Sequence, residues 1–175
     1  LNNVFHSAFH VGKRVRSETE LGAGAVSVSS AAVELAGKMF KDLSKRTALL
    51  IGAGETGELT ARHIKSRDIN TLYITNRTFE KAETVAKDLG GYALPFDAYA
   101  EKIAEVDIII SATNSPDYTV SAEMVKSVMQ HRHHKPLFLI DIAVPRDIDP
   151  ALNKLDNVFV NDIDDLNTIV NKNLD

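Results

Sequence analysis

Residues Gly52-Ala53-Gly54-Glu55-Thr56-Gly57 space three glycines as G-x-G-x-x-G immediately after the apolar run Thr47 to Ile51. At the end of a strand and the start of a helix, this spacing makes a cradle for a pyrophosphate. Gly52 permits the tight turn, Gly54 lets a phosphate approach the backbone, and Gly57 lets the helix pack closely on the strand. Ala53, Glu55 and Thr56 complete the loop, and the positive end of the helix faces the anion. A glycine-rich turn without a ligand is the plain alternative, so the flanking strand and helix give the motif its meaning.

The next chemistry lies about twenty residues further on, where a dinucleotide fold of this kind usually carries an acid for the ribose hydroxyls. This chain has Asn76-Arg77-Thr78 after the run Thr71 to Thr75. A carboxylate there would repel a 2′-phosphate, whereas the planar fork of Arg77 can pair with one and stack on adenine. Thr78 can cap the following helix and offer its hydroxyl, and Lys81 adds positive charge one turn later. These residues point to NADPH, against the simpler reading of Arg77 as a solvated surface side chain. Ser111-Ala112-Thr113-Asn114 and Asp141-Ile142-Ala143-Val144-Pro145-Arg146-Asp147 follow two further apolar runs. We take Thr113, Asn114, Ala143 and Pro145 from these loops as further candidate cofactor contacts. Turn chemistry alone would also favour such residues there.

Other polar clusters point to less. His131, His133 and His134 stand between a helix end and Pro136 without acids or cysteines at ligand spacing, and read as a solvated loop. Asp162, Asp164 and Asp165 suit the N-terminus of a helix without a metal. The 175 residues contain no cysteine, which excludes disulfides, thiolate sites and a cysteine nucleophile among them. A net charge of −4, with both signs mixed, gives no basic footprint for nucleic acid. No apolar run is long enough to cross a bilayer, and cytoplasmic residence is the default expectation.

Positioning these groups requires alternating strands and helices. Apolar runs predict strands over residues 47–51, 71–75, 91–95, 106–111, 137–142 and 158–160. Helical spacing is read over 27–43, 55–66, 79–89, 97–104, 121–129 and from 162 onward, with Ser27 or Ser29 capping the first of these. An earlier helix ends near Val15, and residues 17–25 read as a loop. Alternation of this kind gives an α/β fold, a doubly wound and mostly parallel sheet of the Rossmann type flanked by helices.

The motifs resemble the glutamyl-tRNA reductase family. The resemblance rests on Gly12-Lys13-Arg14-Val15-Arg16-Ser17-Glu18-Thr19 with Val26-Ser27-Val28-Ser29-Ser30-Ala31-Ala32-Val33, then on the glycine loop extended through Glu58-Leu59. Asn76-Arg77-Thr78, the run from Asp141 to Ile148, and Asp162-Ile163-Asp164-Asp165-Leu166 follow in order. It implies a central NADPH domain that supplies hydride to a glutamyl thioester, formed from glutamyl-tRNA on a cysteine in another domain. The product is glutamate-1-semialdehyde, used in tetrapyrrole biosynthesis, and the full protein is a homodimer through a C-terminal domain. On this reading residues 1–26 close a linker, 27–161 form the NADPH domain and 162–175 start a helix toward the dimerisation domain. These residues alone are then expected to be inactive and monomeric. A shikimate-dehydrogenase-like NADP domain also carries Asn-Arg-Thr at this point, and a non-enzymatic nucleotide sensor on the same fold is a third reading.

Overall fold

A computed structural model of the chain describes residues 23–133 and 135–172. The expected helix ending near Val15, the Gly12–Thr19 motif and His134 lie outside the described residues.

Helix α1 (Ala23–Phe40) opens the description. It starts before the expected residue 27, because Ala23, Ala25 and Val26 tolerate helix well and a single Gly24 does not prevent it. Ser27 therefore lies inside the helix rather than at its cap. Ser29 is fully buried, and its hydroxyl meets that of Thr60 at 2.8 Å. Thr60 is also 2.8 Å from the Thr56 carbonyl. Its single proton serves that carbonyl when Ser29 donates to it, so both buried hydroxyls are satisfied. The helix also stops before the expected residue 43: Lys41 takes a left-handed φ of 59°. Asp42 then caps a short 3-10 turn, Leu43–Lys45, by accepting the Ser44 N–H at 3.0 Å.

The remaining elements alternate: β1 (Thr47–Ile51), α2 (Glu55–Lys65), β2 (Thr71–Thr75), α3 (Phe79–Leu89), β3 (Tyr92–Leu94) and α4 (Tyr99–Lys102). β4 (Ile108–Ser111), α5 (Ala122–Met129), β5 (Leu137–Asp141), β6 (Val158–Asp162) and α6 (Ile163–Lys172) complete them. The six strands form one sheet in the order β3-β2-β1-β4-β5-β6, and every pairing is parallel. The doubly wound reading holds, and the sheet is wholly rather than mostly parallel.

Alternate strand residues feed two cores. Ala48, Leu50, Ile74, Ile108, Ile110, Phe138 and Ile140 face the layer of α1, α2, α3 and α6. Leu49, Ile51, Ile109, Leu137 and Leu139 face Tyr99, Ile103, Val125 and Leu152 on the other side. With both faces covered, the central strands β1, β4 and β5 read as nearly unbroken apolar runs. Each fully buried Leu or Ile contributes about 1.5–3 kcal/mol of transfer free energy. Leu166 is completely buried in the first core, so one position of the apolar face of α6 is used inside this domain.

Candidate functional site

Register brings the chemistry to one edge. Thr75, Ile51, Ser111, Asp141 and Asp162 pair across adjacent strands and form a row at their carboxyl ends. The strand order reverses between β1 and β4, with β2 and β3 added to one side of β1 and β4 to β6 to the other, which opens the crevice where such sheets take ligands. The loops after β1, β2, β4 and β5 all lie at that edge.

Gly52 has φ of 99°, and a Cβ there would come within 2.5 Å of the Ala112 carbonyl oxygen. Its N–H donates to Thr75 O at 2.9 Å. A Cβ on Gly57 would collide with the Gly52 carbonyl, so the start of α2 sits against the turn. Gly54 differs: a Cβ there meets nothing within 4 Å. It is the exposed N-cap residue of α2, with Glu55 and Thr56 as the first helical positions. The opening N–H groups of a helix lack intrahelical partners, so this open face suits an anion. The cradle fits a pyrophosphate on steric and electrostatic grounds alike.

Asn76 braces the loop from β2. Its Oδ1 accepts the Ala53 N–H at 3.1 Å, and its Nδ2 donates to Thr78 O at 3.0 Å. Asn76 is thus a structural partner of the glycine loop, which spacing alone did not disclose. Arg77 is exposed, and its Nη2 donates to Ser115 Oγ at 2.8 Å. Thr78 occupies the N-cap position of α3 but makes no side-chain cap bond, contrary to expectation. Its backbone is extended, as at capping positions generally, and its hydroxyl makes no bond to the helix N–H groups. Lys81 is exposed one turn into α3. The described residues near the end of β2 thus present a guanidinium and an ammonium where an NAD site would present a carboxylate.

A buried carboxylate organises the far side. Asp147 is completely buried, and its Oδ2 accepts Ser111 Oγ and the Thr113 N–H, each at 2.8 Å. Its Oδ1 accepts Thr113 Oγ1 at 2.6 Å. Asp141 in turn accepts the N–H groups of Ala143 (3.0 Å), Asp147 (2.9 Å) and Ile148 (2.9 Å). Burial pushes the Asp141 carboxyl above its ordinary value. The Ile148 and Ala143 N–H groups oppose the shift, and the neighbouring Asp147 charge adds to it. Tyr99, whose hydroxyl donates to Thr119 O at 2.5 Å, is also raised, first by burial and then by Asp147.

This network holds both candidate loops. Thr113 is half-buried and tied to Asp147, Asn114 is exposed, Ala143 is buried, and Pro145 is exposed after a cis peptide bond. Arg146 pairs with Asp162 and, at 3.6 Å, with Asp164. Asp162 accepts the N–H groups of Asp164 and Asp165, and Asp165 accepts that of Asp162 at 3.0 Å, a reciprocal cap for α6. Asp141, Asp147 and Ser115 were not singled out by the sequence reading.

The His-rich stretch holds a different surprise. His131 and His133 are exposed, but Arg132 between them is only 3% exposed. Its guanidinium donates to the carbonyls of Ile103 (2.8 Å), Ala104 (3.2 Å), Val106 (2.6 Å) and Pro136 (2.8 Å). Burial lowers its pKa from the ordinary Arg value. Arg132 closes the end of the sheet away from the crevice and takes no part in the candidate site. Among the described residues no helix is long and apolar enough to cross a membrane.

The family model described as shikimate / quinate 5-dehydrogenase matches residues 34–169. The chain belongs to that family. Its curated relatives carry the name that the motifs suggested. It is 48% identical over 174 residues to the glutamyl-tRNA reductase of Thermodesulfovibrio yellowstonii, covering 99% of this chain and 41% of that protein. With the glutamyl-tRNA reductase of Magnetococcus marinus the identity is 49% over 173 residues, 99% of this chain and 41% of the relative. Among solved structures, glutamyl-tRNA reductase from Methanopyrus kandleri matches with a TM-score of 0.80 and 40% identity, over 98% of this chain and 43% of that one. The nucleotide binding domain of the Thermoplasma volcanium glutamyl-tRNA reductase matches with a TM-score of 0.63 over 84% of this chain and 93% of its own. At 19% identity it shows likeness of fold alone. The resemblance to glutamyl-tRNA reductases thus extends over nearly the whole chain, which spans about two fifths of the length of those curated relatives.

Proposed function

We propose that this shikimate / quinate 5-dehydrogenase family member binds NADPH and serves as the nucleotide-binding part of a glutamyl-tRNA reductase. The observation that carries the cofactor reading is Arg77 standing after β2, with Lys81 behind it and no carboxylate at the ribose position. Gly52 to Gly57 would hold the pyrophosphate through the open face at Gly54, and Arg77 would pair with the 2′-phosphate. Thr113, Asn114, Ala143 and Pro145 would line the remainder of the cofactor, in loops fixed by Asp147 and Asp141. When bound, NADPH supplies hydride. The whole protein would use it to reduce a glutamyl thioester, derived from glutamyl-tRNA, to glutamate-1-semialdehyde.

Identity of 48% to reductases over 99% of the chain favours this reading over a shikimate dehydrogenase. The shikimate dehydrogenase from Thermus thermophilus, solved with NADP(H) and shikimate, is 19% identical and speaks only to fold. Glutamyl-tRNA as substrate and a second copy as partner belong to the proposal for the whole protein. Calorimetric titration of the chain with NADPH and NADH tests the cofactor reading. A charge-assisted hydrogen bond is worth about 1.5–3 kcal/mol, so NADPH should bind roughly tenfold to a hundredfold tighter. Equal affinities would overturn it.

A further inference from the structure

Arg77 and Ser115 are 38 positions apart and belong to loops after β2 and β4. Those strands are not neighbours, because β1 lies between them. Their hydrogen bond therefore passes over the carboxyl end of β1, beside the glycine loop. Resting on the NADPH reading, we propose that Ser115 is a specificity-determining residue, which positions the Arg77 guanidinium for the ribose 2′-phosphate.

Ser115 is built to be an anchor. It is only 4% exposed in a loop whose neighbours Asn114, Pro116 and Asp117 are exposed. Its N–H donates to Thr113 Oγ1 at 3.1 Å, and its Oγ accepts the Asp117 N–H at 3.4 Å. Thr113 is bonded twice to the fully buried Asp147, which is bonded to Asp141. The hydroxyl that receives Arg77 is thus fixed to the sheet through an unbroken series of hydrogen bonds. A guanidinium has five N–H donors, and Ser115 takes one on Nη2. The others stay available for a phosphate. An exposed Arg otherwise loses much rotamer freedom on binding, and a guanidinium already held in place loses less.

The test is calorimetry with NADPH and NADH on the unmutated chain, Ser115→Ala, Ser115→Thr, Arg77→Ala and the Arg77→Ala/Ser115→Ala pair. The net worth of a typical intramolecular hydrogen bond corresponds to roughly twofold to tenfold in affinity. Ser115→Ala should weaken NADPH by about that factor, leave NADH within about twofold, and add nothing in the Arg77→Ala background. Ser115→Thr, which keeps the hydroxyl, should restore the preference. Three results would overturn the proposal: an unchanged preference in Ser115→Ala, equal loss of both cofactors, or tighter NADPH binding. The last would make Ser115 a competitor for Arg77. If the unmutated chain itself shows no preference, the NADPH reading falls and this proposal falls with it. A preference that survives Ser115→Ala removes only the role of Ser115.

Discussion

Replacing Asp147 tests the carboxylate that binds the two far-side loops together. In Asp147→Ala, the fully buried Ser111 Oγ and the half-buried Thr113 Oγ1 and N–H all lose a completely buried acceptor. The hydroxyls can rotate, and Ser111 Oγ keeps Thr119 Oγ1 at 3.0 Å. The Thr113 N–H cannot turn and is left orphaned. Three bonds to a charged acceptor would total several kcal/mol, but deleting the carboxylate also removes the cost of burying it. A net loss of about 3 kcal/mol follows, mostly from the stranded N–H and one charge-assisted bond. Asp147→Asn should lose only about 1 kcal/mol. Its oxygen can face Ser111 and the Thr113 N–H, while its NH2 faces Thr113 Oγ1, which then accepts. Urea unfolding followed by circular dichroism at neutral pH measures both. Since domains are stable by only about 5–15 kcal/mol, the Ala variant should remain folded but visibly weakened. If Ala and Asn cost the same, or Ala costs under about 1 kcal/mol, the network does not carry the weight assigned to it.

Three other outcomes follow from the same contacts. Ala at Gly52 or Gly57 would strike backbone carbonyls, whereas Ala at Gly54 meets nothing within 4 Å. Gly54→Ala should therefore keep the melting temperature and lose cofactor affinity, while Gly57→Ala loses melting temperature first; the reverse order in differential scanning fluorimetry and titration would contradict the cradle. Arg132→Ala strands the carbonyls of Ile103, Val106 and Pro136 and should cost about 2–4 kcal/mol in urea unfolding, with a negligible change indicating that water replaces the guanidinium. Burial raises the Asp141 carboxyl above 3.8, so its neutral form is favoured in the fold. Its contribution to stability is largest below the unfolded value and falls as pH rises through the folded one. A carboxyl-carbon NMR titration of Asp141 with its midpoint at or below 3.8 would refute this.

What the sequence disclosed was what depends on local pattern. Apolar runs located the central strands because a parallel sheet covered on both faces leaves no alternation to misread, and the short edge strands β3 and β6, with Tyr92 and Phe159 exposed, still carry enough apolar residues to be seen. The glycine spacing and Asn76-Arg77-Thr78 located the loops at the crevice for the same reason, since each is a contiguous stretch. Long-range polar contacts left no such trace. Ser111 and Asp147 are 36 positions apart, and Arg132 lies 29 positions from Ile103. Nothing in the run of histidines marks Arg132 as buried, because its burial depends on carbonyls from another loop. The glycines at 22 and 24 give the start of α1 the local pattern of a loop, although the helix already includes Ala23. Ser29, read as a possible cap, instead found a buried partner in Thr60.

The central claim is that the crevice between β1 and β4 takes a 2′-phosphorylated dinucleotide, with Arg77 on the phosphate. The most direct measurement is a crystal structure of the chain grown with NADPH. In it the pyrophosphate should lie against the backbone of Gly52 to Gly57 and the 2′-phosphate within hydrogen-bond reach of the Arg77 guanidinium. A pyrophosphate seated away from the glycine loop, or a 2′-phosphate turned to solvent with Arg77 elsewhere, would contradict it.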